Sequence, residues 1–292
     1  MSPGSGAGTR ATFGAAFILL AESAILAGWT SVSTWTTPIC WWGYLLVVDA
    51  LVESRTGRSL FAGPPARALA WVVLSVLFWL VFEGYNLRLR NWEYIGLPAV
   101  RAVRWTGYFA SFGTILPGLF LTSAALASLG AFARARCRPW RPSRRGVRAS
   151  LAAGAVCLLL PLLVPEEAGR YLFAPVWIGF ILLLEPLNRR LGGPSILRDL
   201  ERGAPGRALR LLVAGYLCGF LWEFWNYWAA AKWIYHVPFV PEIRIFEMPV
   251  LGFLGFGPFA LQYYAMYGTA LIVWRRLRRE KPGRESPAAI IL

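Results

Sequence analysis

Histidine occurs once in the 292 residues, at His236, and acidic residues number 15 against 30 Lys and Arg. A single histidine excludes a His-cluster zinc site, and a Ser-His-Asp triad could be built only around that residue. No Gly-rich phosphate loop followed by Lys is present. The four cysteines, Cys40, Cys137, Cys157 and Cys218, form no C-x-x-C pair, and three lie in apolar stretches, so they read as packing thiols. No motif calls for a metal or a cofactor. Charge itself is scarce: 15% of residues are charged, where a soluble domain carries about 25%. Hydrophobic residues make up 57% and mean hydropathy is +0.50. The default is therefore a multi-span membrane protein rather than a soluble enzyme. The net charge of +15 sits at the ends of apolar runs, which topology explains and nucleic-acid binding does not.

A helix needs about 20 apolar residues to cross the hydrocarbon core. Eight candidates run over 12–29, 38–53, 67–86, 105–130, 151–168, 171–188, 208–231 and 250–274. None shows barrel-type alternation, so the expected fold class is all-α, a polytopic helical bundle. The N-terminal apolar run is read as a first span, because only Arg10 precedes it as a basic residue and no clean small-x-small cleavage site follows. Of the 30 basic residues, 23 fall on one side of this topology, counting Arg67, Arg207 and Arg210 with their adjacent loops. The bias places both termini in the cytoplasm and the chain in the inner or plasma membrane.

Self-comparison gives an internal repeat. At an offset of 136, Trp41, Gly43, Leu46, Leu51, Gly57 and Ser59 recur as Trp177, Gly179, Leu182, Leu187, Gly193 and Ser195, and Asp49 falls on Glu185. At 140, Glu83 and Asn86 fall on Glu223 and Asn226; at 141, Trp92 and Tyr94 fall on Trp233 and Tyr235. The period covers four helices, an even number, so the expected architecture is two parallel four-helix repeats related by an axis along the membrane normal. The resulting organisation is a cytoplasmic tail at 1–11, a first repeat at 12–132, an Arg-rich cytoplasmic linker at 133–150, a second repeat at 151–274 and a basic cytoplasmic tail at 275–292.

Ionisable residues inside spans are functional candidates by default. Glu83 and Glu223 each begin a Glu-x-x-Asn, which puts Asn86 and Asn226 on the same helix face as their acid. These four are the candidate catalytic residues, each Asn orienting its Glu. Asp49 and Glu185, nearer the Arg-rich loops, are candidates for a relay, and structural hydrogen bonding is the competing account of both pairs. Aromatic residues make up 15% of the chain, densest at Trp222-Glu223-Phe224-Trp225-Asn226-Tyr227-Trp228. An interfacial belt accounts for such rings. So does a cavity whose faces stabilise a cation. Trp222, Trp225, Trp228, Tyr235, Glu247, Gln262 and Tyr263 are the candidate lining. A carboxylic acid that keeps its proton, facing such rings, is what proton-initiated cyclisation of a polyene requires.

The words LWEFWNYW (221–228), KWIY (232–235), IFEMPVLGFLGFGPFALQ (245–262) and EPLNRRLGGPSILRDL (185–200) resemble a group of uncharacterised bacterial multi-span proteins. More remotely, the layout is similar to the membrane-embedded lycopene cyclase domains. The Pro-x-Glu-Glu signature of those domains has its nearest counterpart in Phe246-Glu247-Met248-Pro249, with one acid. This resemblance implies a membrane cyclase or isomerase of an isoprenoid-like lipid, with an intramembrane Glu as acid. Two other readings stay open at this point: a proton-coupled transporter of a small molecule or lipid, and a non-catalytic membrane scaffold. The expected partner is a membrane lipid or isoprenoid-like ligand; a homo-oligomer is open to such a bundle, and no nucleic acid is expected.

Overall fold

The computed structural model describes residues 3–238 and 240–278. Among them the chain is helical apart from four short strands. In order these are α1 (Pro3–Leu26), α2 (Thr30–Ser33), α3 (Thr36–Thr56), α4 (Pro65–Leu89), β1 (Trp92–Ile95), α5 (Arg101–Phe112), α6 (Ile115–Ser128), α7 (Arg144–Leu163), α8 (Glu166–Gly169), α9 (Phe173–Leu191), α10 (Ile196–Glu201), α11 (Gly206–Trp228), β2 (Lys232–Tyr235), β3 (Arg244–Ile245), β4 (Met248–Pro249), a 3-10 turn (Val250–Gly255) and α12 (Phe256–Leu277). Five stretches are long and apolar enough to cross a membrane: Gly6–Leu26, Pro65–Leu89, Arg101–Ser128, Arg144–Leu163 and Gly206–Trp228.

Several boundaries differ from those read in the sequence, and four have a local reason. Helix α7 begins at Arg144, inside the expected linker, where Ser143 caps it by accepting from the Gly146 amide. Helix α1 starts at Pro3, inside the segment expected as a tail, because a proline is tolerated in a first helical turn. Its Arg10 then reaches Glu53 and, at 3.6 Å, Asp49 on α3. The fourth expected span is two helices, α5 and α6, separated at Gly113-Thr114. The last begins six residues later as an α-helix, since the Gly-rich 250–255 stretch winds as a 3-10 turn. A Cβ on Gly255 would strike the Trp177 ring, so that glycine serves close packing. The basic tail beyond Arg278, with Arg279, Lys281 and Arg284, lies outside the described residues.

Helix pairs pack through small residues. A Cβ on Gly14 of α1 would lie 2.5 Å from the Gly43 carbonyl oxygen of α3, and one on Gly154 of α7 would lie 2.9 Å from the Gly179 carbonyl oxygen of α9. Only glycine lets the backbones approach so closely without lipid or side chain between them. Helices α3 and α6 pack together, as do α9 and α12, and α11 lies against α3, α6 and α12. The core is an aromatic lattice between these elements, including Trp71 against Tyr267 at 5.8 Å and Phe82 stacked on Tyr263 at 6.1 Å between ring centres. Helices α3 and α12 bury most of their residues, and that is where their polar side chains lie: Asp49 and Gln262 are both fully buried.

Candidate functional site

The site grows from two helix ends. Helix α4 stops where Arg90 adopts a left-handed conformation (φ 50°) and the chain turns back into β1. Helix α11 stops at Trp228, and three residues later the chain enters β2. The two strands pair antiparallel, with Trp92 opposite Tyr235, Glu93 opposite Ile234 and Tyr94 opposite Trp233. Each strand thus sets its Trp opposite the Tyr of the other, and Ile95 opposite Lys232 ends the ladder.

Each helix grips its own strand in the same way. The Asn86 Nδ2 donates to the Trp92 carbonyl at 2.8 Å, and its Oδ1 accepts from the Asn91 and Trp92 amides at 2.8 and 3.2 Å. Asn226 repeats this with Trp233, donating to its carbonyl at 2.8 Å and accepting from its amide at 2.9 Å. Among the described residues these amides bond to strand backbone and not to the neighbouring carboxylate, so they position the strand rather than the acid. The strand side chains then reach the acid. Glu83 Oε1 accepts from the Tyr94 hydroxyl at 2.6 Å, the Trp79 indole at 2.7 Å and the Trp92 indole at 3.2 Å. Glu223 Oε1 accepts from the Tyr235 hydroxyl at 2.8 Å and the Trp233 indole at 3.4 Å. Burial first, then the adjacent carboxylate, pushes the Tyr94 and Tyr235 phenols well above their ordinary range, so both act as donors.

The two acids differ in what remains. Glu83 is half-buried and Glu223 fully buried; the donors to each are on Oε1, and among the described residues the buried Oε2 of Glu223 has no hydrogen-bond partner. Glu223 lies on the wall of a cavity of about 160 Å³; Glu83 does not, although its three donors do. The walls are aromatic: Trp41 lies 5.0 Å from Trp222, Trp92 lies 4.9 Å from Phe173 and Tyr94 lies 5.4 Å from Tyr108, between ring centres. That space is close to the ~150 Å³ of an engineered cavity that holds benzene, and it is partly open rather than enclosed.

Of the other expected lining residues, Trp222 and Tyr235 face the cavity. Trp225 instead donates to Glu22 at 3.2 Å, and Trp228 is half exposed. Gln262 and Tyr263 are fully buried in the bundle, off the cavity wall. Glu247 holds Lys232, a wall residue, at 2.5 Å. The candidate relay acids are off the wall as well, and each anchors the loop after its helix. Asp49 accepts from Ser59 Oγ at 2.5 Å and the Leu60 amide at 2.6 Å; Glu185 accepts from Ser195 Oγ at 2.7 Å and the Leu197 amide at 3.1 Å. His236 closes the strand pair from outside, 2.9 Å from Glu93.

Wall residues absent from the sequence-based candidates include Trp41, Trp177, Trp92, Trp233, Thr37 and Arg104. A signal for the first four was present: they are the tryptophans matched at offsets of 136 and 141. Compared with known proteins, the chain matches no family model, no curated protein and no solved structure.

Proposed function

We propose that the chain is an eight-span membrane protein of two parallel four-helix repeats, with both termini cytoplasmic, that cyclises or isomerises an isoprenoid-like lipid with Glu223 as the acid. The lengths of α3, α9 and α12, at 21, 19 and 22 residues, support three spans beyond the five most apolar ones. Their polar residues are compatible with lipid because many of them turn into protein, where partners exist. The matched glycine crossings, the matched Asn and Glu grips and the charge bias of the loops support the repeat and its orientation.

The observation that carries the chemical reading is Glu223 itself. One oxygen is held by Tyr235 and Trp233, and the other has no hydrogen-bond partner among the described residues, in a side chain that lines the aromatic cavity. In the acid form that second oxygen carries the proton. Transfer to one carbon of a double bond leaves a carbocation at the other, faced by the indole rings of Trp41 and Trp222. The Tyr235 and Trp233 donors stabilise the carboxylate left behind. Loss of a proton from an adjacent carbon, back to Glu223, yields the shifted alkene. Attack by a second double bond before that loss closes a ring. Atoms and electrons balance in both courses without an oxidant or reductant. The test is product formation, and deuterium uptake from D2O, by protein in nanodiscs supplied with isoprenoid lipids. Glu223→Gln is expected to lose about 100-fold or more of both. Full turnover by that variant overturns the reading.

A further inference from the structure

The cavity is apolar in its rings but not in its orphaned atoms. Four wall residues carry a buried polar atom without a hydrogen-bond partner: Thr37 Oγ1, Trp41 Nε1, Arg104 Nε and Glu223 Oε2. Buried polar atoms are paired as a rule, and leaving one unpaired costs about 1–3 kcal/mol. A hydrocarbon in this space would leave all four unpaired. A ligand with oxygen atoms offers acceptors to the indole and guanidinium donors.

Arg104 defines the sign of that polar group. On α5 the spacing of Arg104, Tyr108 and Ser111 places all three on one helix face, and all three line the cavity. The other cation on the wall, Lys232, is neutralised by Glu247 at 2.5 Å. Arg104 has no acid partner among the described residues. A guanidinium is always charged and its planar fork matches carboxylate and phosphate oxygens. The cavity, about 160 Å³ and partly open, has room for one end of a long lipid with the rest of the chain outside it.

We infer that the lipid enters head first: the ligand is an isoprenoid amphiphile with an anionic phosphate or carboxylate head, which Arg104 receives on the wall it shares with Thr37, Trp41 and Glu223. This rests on the isoprenoid reading above. It adds that the double bond protonated by Glu223 lies on the head-group side of the chain, because Arg104 and Glu223 line the same cavity.

The experiment measures binding of radiolabelled geranylgeranyl phosphate, geranylgeraniol and squalene to the full chain in nanodiscs, wild type against Arg104→Gln and Arg104→Lys. In the wild type the phosphate is expected to bind about tenfold or more tighter than the alcohol, and squalene weakest. Arg104→Gln is expected to bring the phosphate to the alcohol's affinity with the alcohol unchanged, and Arg104→Lys to keep part of the preference. Inorganic phosphate is expected not to compete, which separates a lipid head from a free anion. Squalene binding as tightly as the phosphate, competition by inorganic phosphate, or Arg104→Gln weakening all three ligands alike overturns the head-first inference while the isoprenoid reading stands. Failure of all three to bind the wild type overturns both.

Discussion

The grips at Glu83 and Glu223 use the same parts for different ends. In each, an Asn one turn along the helix holds a strand by its Trp backbone, and the strand returns a Trp and a Tyr to the acid. Glu83 gains a third donor from Trp79, one turn back on its own helix, and does not reach the cavity. Glu223 has no such donor, because the residue four before it is Gly219 and Phe256 packs into that space. One difference between two helices aligned at an offset of 140 thus separates a half-buried carboxylate with three donors on Oε1 from a fully buried one with two. A pair of similar acids in one molecule does not imply a pair of similar roles; these two differ in burial, in the Trp79 donor and in their place relative to the cavity.

This contrast breaks most sharply in activity. Glu223→Gln is expected to remove about 100-fold or more of turnover, while Glu83→Gln stays within a few-fold and instead lowers the melting temperature. Equal loss of turnover from both would show that the two acids work as one unit. The next effect is on stability. Asn86→Ala and Asn226→Ala each free buried strand backbone, at a cost of about 1–3 kcal/mol, read as loss of thermal stability in detergent. Similar losses are expected, since the Asn half of the grip is the same in both. The tyrosines should differ again. Tyr94→Phe leaves Glu83 two indole donors, whereas Tyr235→Phe leaves Glu223 only a 3.4 Å contact, so the second should cost about 1 kcal/mol more. Melting curves of the two variants check this.

The smallest effect is on pH dependence. Both phenols are raised above the ordinary value of about 10, so the folded state holds protons that the unfolded state releases at alkaline pH. The stability they lend is whole below about pH 10 and falls as pH rises beyond it. A Tyr94→Phe/Tyr235→Phe double variant is expected to show a shallower alkaline loss than wild type. An identical slope would mean that other groups set it.

Much of the helical layout was legible because hydrophobic length is a property of consecutive residues. The Glu-x-x-Asn pairs were legible as well, since spacing of three on a helix is a local rule. Their partners were not. Asn86 was expected to orient Glu83, yet it binds the strand that follows, because a chain reversal at Arg90 brings backbone donors within reach before the carboxylate does. The roles of Asp49 and Glu185 were hidden in the same way: their acceptors meet Ser59 and Ser195 only after ten residues of chain turn back on the helix end. Trp225 and Gln262 shared an aromatic or polar character with true wall residues, and nothing in a one-dimensional pattern says toward which neighbour a fully packed helix turns them.

Local sums over the chain determined an all-helical fold with helices fit for a membrane, the in-register recurrence of acids, amides and tryptophans, and the asymmetry of basic residues, because each depends on composition and spacing alone. The tertiary structure alone decided that Glu223 lines a cavity and Glu83 does not, which tryptophans line it, and that Arg104 stands there without an acid partner among the described residues. Those facts depend on distances between residues more than a hundred positions apart, and such distances exist only once the helices have packed and the two strands have paired.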